Sequence, residues 1–230
     1  MFCNYNAYKK SFDFCFISLY TLVIMKLKYI IEKSNKYETI KQILKEEFFL
    51  SERLILKLKK ANQIYINNSP VNIYYKYKIN DILTINLDFN EDNDNILPKQ
   101  LPLNILYEDE CFLILNKPAG IPVHPSMEHY TDSLSNGVKY YFDSIGLKRK
   151  IRPINRLDKD TSGIVIFAKN QYVQECLIKQ MKLNQFEKKY VVLVDGIIKF
   201  DNLTINEPIS RKDGSIIERC VNPSRSRSYN

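Results

Sequence analysis

The segment Ile164-Val165-Ile166-Phe167-Ala168 is an unbroken apolar run, and the stretch before it, Arg152-Pro153-Ile154-Asn155-Arg156-Leu157-Asp158-Lys159-Asp160-Thr161-Ser162-Gly163, is polar and turn-forming. A short continuous apolar run bounded by turn signals reads as a buried strand. The loop that feeds it is then carried on a rigid element, which is what precise placement of reactive side chains requires. Any fold for this chain has to bury residues 164–168 and hold the loop at the end of that strand.

Two further segments have the same character. Asn116-Lys117-Pro118-Ala119-Gly120-Ile121-Pro122-Val123-His124-Pro125 follows an apolar run, and its prolines and glycine impose a stiff, shaped loop. Glu187-Lys188-Lys189-Tyr190-Val191-Val192-Leu193-Val194-Asp195-Gly196 reads as a polar lead into another strand. Each has an ordinary explanation when taken alone. Arg-x-Asp in a loop is commonly a surface ion pair of little energetic consequence. His124 between prolines is more often structural than catalytic, Tyr190 at a strand start is more often core, and Lys188 and Lys189 are ordinarily solvated.

The chain has 230 residues, 45% of them hydrophobic, and a net charge of +8. That is enough apolar material for one large domain or a small one plus a larger one, and too much for general disorder. The basic balance suits a polyanionic partner without identifying one. Five cysteines (Cys3, Cys15, Cys111, Cys176, Cys220) are scattered, without the clustering a structural zinc site needs and without the even number of a disulfide framework. No metal and no organic cofactor is implied. The apolar run Phe14–Met25 is too short to span a membrane. It lacks a small-residue cleavage site, and Met25-Lys26-Leu27-Lys28-Tyr29-Ile30-Ile31 reads like a natural start opening on a strand. Residues 1–25 are therefore expected to be an upstream, non-native extension of a cytoplasmic protein.

Residues 26–90 read as one unit. Thr39–Phe48 has a helical pattern with Ile40, Ile43 and Leu44 apolar, and Ser51 is a suitable N-cap for a second helix with Leu54, Ile55 and Leu58 on one face. Arg53, Lys57, Lys59 and Lys60 line the rest of that helix. Gln63–Ile66 and Ile82–Leu87 read as strands, with Asn67-Asn68 as a turn. This order, two basic helices and then a short hairpin-rich sheet, resembles the S4-like RNA-binding domain. Residues 26–90 hold 12 Lys+Arg against 7 Asp+Glu, a surplus consistent with phosphate contacts. Residues 91–101 are polar, partly acidic and contain Pro98, and read as a linker. Residues 102–230 form the second domain. It opens with two apolar runs, Asn104–Tyr107 and Cys111–Leu115, broken by Glu108-Asp109-Glu110, and it has a helix over Gln171–Asn184.

Taken together and in order, the three loop segments resemble the RluA-type RNA pseudouridine synthases. The segment Arg156-Leu157-Asp158 matches that family's central motif, the Lys117-Pro118 loop matches the one preceding it, and Glu187–Gly196 matches the segment that supplies an active-site tyrosine. An S4-like unit in front is a common arrangement there. The resemblance implies an α+β fold, with the small S4-like domain followed by a mixed, mainly antiparallel synthase sheet flanked by helices. It implies an isomerase that acts on structured RNA, ribosomal in the first place and transfer RNA in the alternative, as a monomer and without metal or membrane. Asp158 takes the nucleophile's position, Tyr190 stacks on the target base, and Arg156 contacts the carboxylate or the RNA. Arg53, Lys57, Lys59, Lys60, Lys117 and Arg152 are the expected RNA contacts.

The chemistry wants such residues. Pseudouridine formation breaks the N1–C1′ bond of uridine, turns the base and rejoins it through C5, so the base has to leave its stack and a carboxylate has to stand beside C1′. Asp160 offers a second carboxylate, but two acids that close in one loop lack the opposed geometry of a glycosidase, and Asp160 is read as solvated. Asn155 departs from the histidine that many family members carry, which bears on RNA choice more than on catalysis.

The tail departs as well. After Val221-Asn222-Pro223 the family pattern calls for Gly-Lys/Gln and a later Thr, and this chain reads Ser224-Arg225-Ser226-Arg227-Ser228-Tyr229-Asn230. One permitted back-translation of residues 225–230, read from its second base, encodes Gly-Gln-Glu-Ala-Ile-Thr. A frameshift and a C-terminally truncated catalytic domain are the expectation, and with them weak stability and little activity. The competing reading is a non-catalytic RNA-binding protein derived from such an enzyme.

Overall fold

The computed structural model describes residues 25–33, 36–91, 95–215 and 218–222. The expectations for residues 1–24 and for the tail 223–230 lie outside these. The fold is mixed α+β, with antiparallel sheets and four helices among the described residues. The chain divides into two compact units, Met1–Glu187 and Lys188–Asn230.

In the larger unit the first sheet has strand order β1-β4-β2-β3, all antiparallel. Its strands are β1 (Lys26–Ile30), β2 (Ile64–Ile66), β3 (Ser69–Pro70) and β4 (Ile82–Asn86). Helices α1 (Ile40–Glu46) and α2 (Glu52–Lys60) lie between β1 and β2 in the chain. Each starts where its cap says it should. Thr39 and Gln42 form a reciprocal capping box, and the Ser51 hydroxyl accepts from the Leu54 N–H. Ile40, Ile43, Leu44, Leu54, Ile55 and Leu58 are buried as their spacing requires, which leaves the basic positions of α2 at the surface. Asn67 and Asn68 both have positive φ, 49° and 68°, the backbone a tight hairpin turn demands.

The second sheet has order β5-β6-β7, from β5 (Ile105–Glu108), β6 (Phe112–Lys117) and β7 (Gly163–Ala168). β7 pairs with β6 over six residues, from Gly163 opposite Lys117 to Ala168 opposite Phe112. Val165, Phe167 and Ala168 are fully buried, whereas Ile164 is 58% exposed, so the expectation that the whole run is buried fails at its first residue, where the strand leaves the arched loop. Helix α4 (Gln171–Lys182) follows β7 and is capped by Asn170, whose Oδ1 accepts from the Val173 N–H.

Helix α3 (Leu134–Ser144) was not anticipated. Its first turns carry Ser135, Asn136 and Gly137, residues that favour turns over helix. Tertiary packing overrides this. A Cβ on Gly137 would lie 3.1 Å from Leu103 Cδ2 and 3.2 Å from Leu101 Cβ, so the helix sits close against residues 101–103. The buried Asn136 side chain accepts from the Ser133 N–H and donates to the Leu97 carbonyl.

Residues 26–90 and the body that follows share one core. Met25, Leu54, Ile55 and Leu87 belong to the same buried cluster as Cys111, Ala168 and Val173. The polar stretch after residue 90 does not run free at its start. The Glu91 side chain is buried, the Glu91 N–H donates to the Lys148 carbonyl, and the carboxylate lies between Lys57 and Arg152.

In the second unit, β8 (Ile209–Arg211) and β9 (Arg219–Val221) form a two-stranded antiparallel sheet. The strand expected after Tyr190 does not form. Residues 188–194 have no regular structure, and Val191 and Leu193 are fully exposed. A strand exists only as part of a hydrogen-bonded pair, and none is made to this segment among the described residues.

Candidate active site

β6 ends at Lys117, where its side chain turns inward. Lys117 is fully buried, and its Nζ donates to the carbonyls of Pro118 (2.9 Å), Ile121 (2.8 Å) and Lys159 (2.8 Å). An ammonium has three donors and no acceptor, so all three are spent. Two of these bonds shape the loop that follows β6, and the third crosses to the loop that carries Asp158. The Lys159 carbonyl also accepts from the Gly120 N–H at 2.9 Å. Gly120 has φ of +88°, and a Cβ there would meet nothing within 4 Å, so the backbone conformation and not the space calls for glycine. Burial pushes the Lys117 pKa down, and the charges of Asp160 and Asp158 oppose that shift. Lys117 was expected to touch RNA; the structure gives it to the protein's own carbonyls.

The second loop is tied to β7 at its base. Ala168 N–H donates to the Arg152 carbonyl and Ile154 N–H to the Ile166 carbonyl, with Pro153 bridged to Phe167. At Asn155 the side chain takes over from the backbone. Its Nδ2 donates to the Ile164 carbonyl at 2.8 Å, and its Oδ1 accepts from the Ile166 N–H at 3.0 Å. A carboxamide presents donor and acceptor side by side as a peptide group does, so the strand pairing continues through it. Beyond Asn155 the chain arches away. Leu157 packs against the core of the body, while Arg156 and Asp158 on either side of it are exposed. The Thr161 N–H closes a turn onto the Asp158 carbonyl at 3.2 Å. Asp160 is exposed, as read from sequence.

His124 stands near this arch. Burial lowers its pKa, and the positive charge of Arg156 lowers it further. The chain thus brings Lys117, His124, Arg156, Asp158 and Asp160 to one pair of loops. Tyr190 lies in the second unit and is 59% exposed.

The expected RNA contacts divide. Arg53, Lys59 and Lys60 are exposed on α2, and the Lys59 ammonium sits over the Tyr74 ring, 5.3 Å from its centroid. Lys57 and Arg152 instead meet at Glu91, with Nζ and Nη2 each 2.7 Å from the same carboxylate oxygen. Burial raises the Glu91 pKa, but the hydrogen bonds from Arg152 and Lys57 outweigh it, and the net shift is downward. Arg149 pairs with Asp88 beside them. Among the described residues no group of three or more His, Cys, Asp or Glu is placed to hold a metal ion. No helix there is long and apolar enough to cross a membrane.

Residues 111–230, just over half the chain, match the RNA pseudouridylate synthase family. The chain belongs to that family. The matched stretch contains Lys117, Asp158 and Tyr190. An uncharacterized RNA pseudouridine synthase of Bacillus subtilis, YjbO, is 33% identical over 178 residues, covering 77% of this chain and 63% of that protein. Ribosomal large subunit pseudouridine synthase D of Borreliella burgdorferi is 34% identical over 158 residues, covering 64% of this chain and 46% of its own. The chain thus spans between about half and two thirds of the length of these curated relatives. Human RNA pseudouridylate synthase domain containing 1 superposes with a TM-score of 0.44 at 23% identity, over 56% of this chain and 48% of the human one.

Proposed function

We propose that this protein converts uridine to pseudouridine in ribosomal RNA, with the Asp158 carboxylate as nucleophile. The observation that carries the reading is the Asp158 arch, an exposed carboxylate on a loop held by Lys117 and Asn155 inside the family-matched stretch. A nucleophile needs access to its target and a fixed position, and this loop offers both.

In the proposed reaction the target uridine is flipped out of its stack. The Asp158 carboxylate bonds to C1′ as the N1–C1′ bond breaks, the base turns, C5 displaces the carboxylate from C1′, and the C5 proton leaves as N1 is protonated. Tyr190 would lie against the flipped base, since any base offers a face to an aromatic ring. Arg156 would meet the carboxylate or a phosphate. Residues 26–90 would act as an S4-like module whose α2 residues Arg53, Lys59 and Lys60 meet the phosphate backbone. The similarity to a ribosomal large subunit pseudouridine synthase of Borreliella favours large-subunit ribosomal RNA over transfer RNA. A cytoplasmic setting goes with such a substrate.

The test uses RNA tritiated at uridine C5. Release of tritium to water from ribosomal RNA by the protein, and its loss in Asp158→Ala with RNA binding retained, is the expected result. Release that persists in Asp158→Ala, or release from transfer RNA alone, overturns the proposal in its mechanism or its substrate respectively.

A further inference from the structure

Between β3 and β4 the chain makes a loop, Val71–Asp81, which carries Tyr74, Tyr75, Lys76 and Lys78. The loop is held firmly. Ile73 is buried in the first core, the Asn72 Oδ1 accepts from the Tyr74 N–H at 2.8 Å, and the Tyr75 N–H donates to the Asn72 carbonyl at 3.1 Å. At its far end the Lys78 N–H donates to Asp81 Oδ2 at 2.7 Å, and the Tyr77 hydroxyl donates to the Tyr37 carbonyl. Two aromatic rings stand out from this frame. Tyr74 is 72% exposed and Tyr75 is 42% exposed.

The surroundings are positive and concave. Residues 58–80 carry four lysines, Lys59, Lys60, Lys76 and Lys78, and no acid. Lys59 lies over the Tyr74 ring, and Lys76 and Lys78 are exposed. Beside Tyr75 is a groove of about 720 Å³ lined also by Lys59, Asn62, Pro70 and Asn72, among others.

We propose that this loop is a stacking platform for unpaired RNA bases, in which Tyr74 and Tyr75 each present a ring to a base while Lys59, Lys76 and Lys78 meet the adjoining phosphates. Exposed aromatic rings on a hydrogen-bonded loop, set among lysines, suit a single strand, whose base faces are free, and not a duplex, whose faces are stacked away. An acidic or apolar protein partner would use the charge or the rings, whereas unpaired RNA uses both together. The inference rests on the reading that the protein's substrate is RNA, but it concerns how that RNA is held and not the reaction.

The experiment measures binding of the full chain to a fluorescein-labelled, unstructured 12-nucleotide RNA and to a 12-base-pair RNA duplex, each across a salt series. For the Tyr74→Ala, Tyr75→Ala double variant the expected result is a loss of about tenfold or more on the single strand. Duplex affinity and the salt slope stay unchanged, because no phosphate contact has been removed. Tyr74→Phe with Tyr75→Phe keeps single-strand binding. Unchanged single-strand affinity in the alanine variant, an equal loss on both RNAs, or failure of the phenylalanine variant to bind overturns the proposal. If the wild type releases no tritium yet shows this pattern, the synthase reading fails and the platform stands. If it releases tritium and the alanine variant binds as wild type, the platform fails alone.

Discussion

Replacing Glu91 by glutamine tests how the two halves of the larger unit are joined. Both Lys57 Nζ and Arg152 Nη2 lie 2.7 Å from Glu91 Oε1, and the Glu91 and Arg152 side chains are 5% and 7% exposed. Glutamine keeps the size and one acceptor oxygen but removes the charge. Lys57 is 30% exposed and can turn its ammonium to water, so little of the effect comes from it. Arg152 cannot, and it is left as a buried cation without a counter-charge. Deleting one partner of a buried pair costs about 3–5 kcal/mol, and the acceptor that glutamine retains places this case at the low end, about 3 kcal/mol. For a unit of this size that lowers Tm by about 6–12 °C. The assay is thermal unfolding followed by circular dichroism across a pH series. The Glu91 pKa in the folded state is below its ordinary 4.5, so its contribution is fully present above pH 4.5 and is lost as pH falls through the folded value. The gap between wild type and variant is therefore expected to be widest near neutrality and to close in acid. In a Glu91→Gln, Arg152→Met double variant much of the loss returns, because the stranded cation has gone. A variant that melts within about 1 °C of wild type at pH 7, or a gap that stays constant below pH 4.5, refutes the reasoning.

Two further substitutions bear on the Asp158 loop. Lys117→Met leaves the Pro118 and Ile121 carbonyls without their donor, and a loss of about 2–4 kcal/mol is expected; tritium release falls while RNA affinity is kept, whereas a phosphate-binding lysine would show the reverse. Asn155→Asp keeps the acceptor for the Ile166 N–H but sets a carboxylate against the Ile164 carbonyl; tritium release is expected to fall by tenfold or more, with a Tm loss of about 2–8 °C and unchanged RNA affinity, and a variant that turns over like wild type removes Asn155 from the account.

Much of this was legible in the sequence wherever one residue type does one local job. Thr39 and Ser51 mark helix starts because a hydroxyl there satisfies an otherwise free backbone N–H, and the apolar spacing behind them sets the buried face. The run from Ile164 to Ala168 announces a strand because it is unbroken and apolar, although Ile164 itself stands 58% exposed. Helix α3 was hidden because Gly137 and Asn136 are chosen for what they touch, Leu101, Leu103 and Leu97, and those contacts are distant in sequence. Lys117, Lys57 and Arg152 were misleading for a related reason. A cation looks the same in sequence whether it faces phosphate or lies under a loop, and only the positions of the Lys159 carbonyl and of Glu91 decide which. Glu91 itself sat in what read as a solvated linker.

These buried polar residues share a logic that bears on how the site is built. The Asp158 loop leaves β7 after Asn155, so its backbone has no strand partner beyond that point, and exposed loops without such support are mobile on the scale that disturbs a reaction. The chain supplies the missing support with side chains that imitate what a sheet would provide. The Asn155 amide stands in for a peptide group at the base of the arch, and the Lys117 ammonium with the Gly120 N–H captures the Lys159 carbonyl beside Asp158. A lysine serves here better than a neutral donor, since its length reaches across from β6 and its three donors bind three carbonyls from one buried point. The charges of Asp160 and Asp158 oppose the effect of burial on that ammonium.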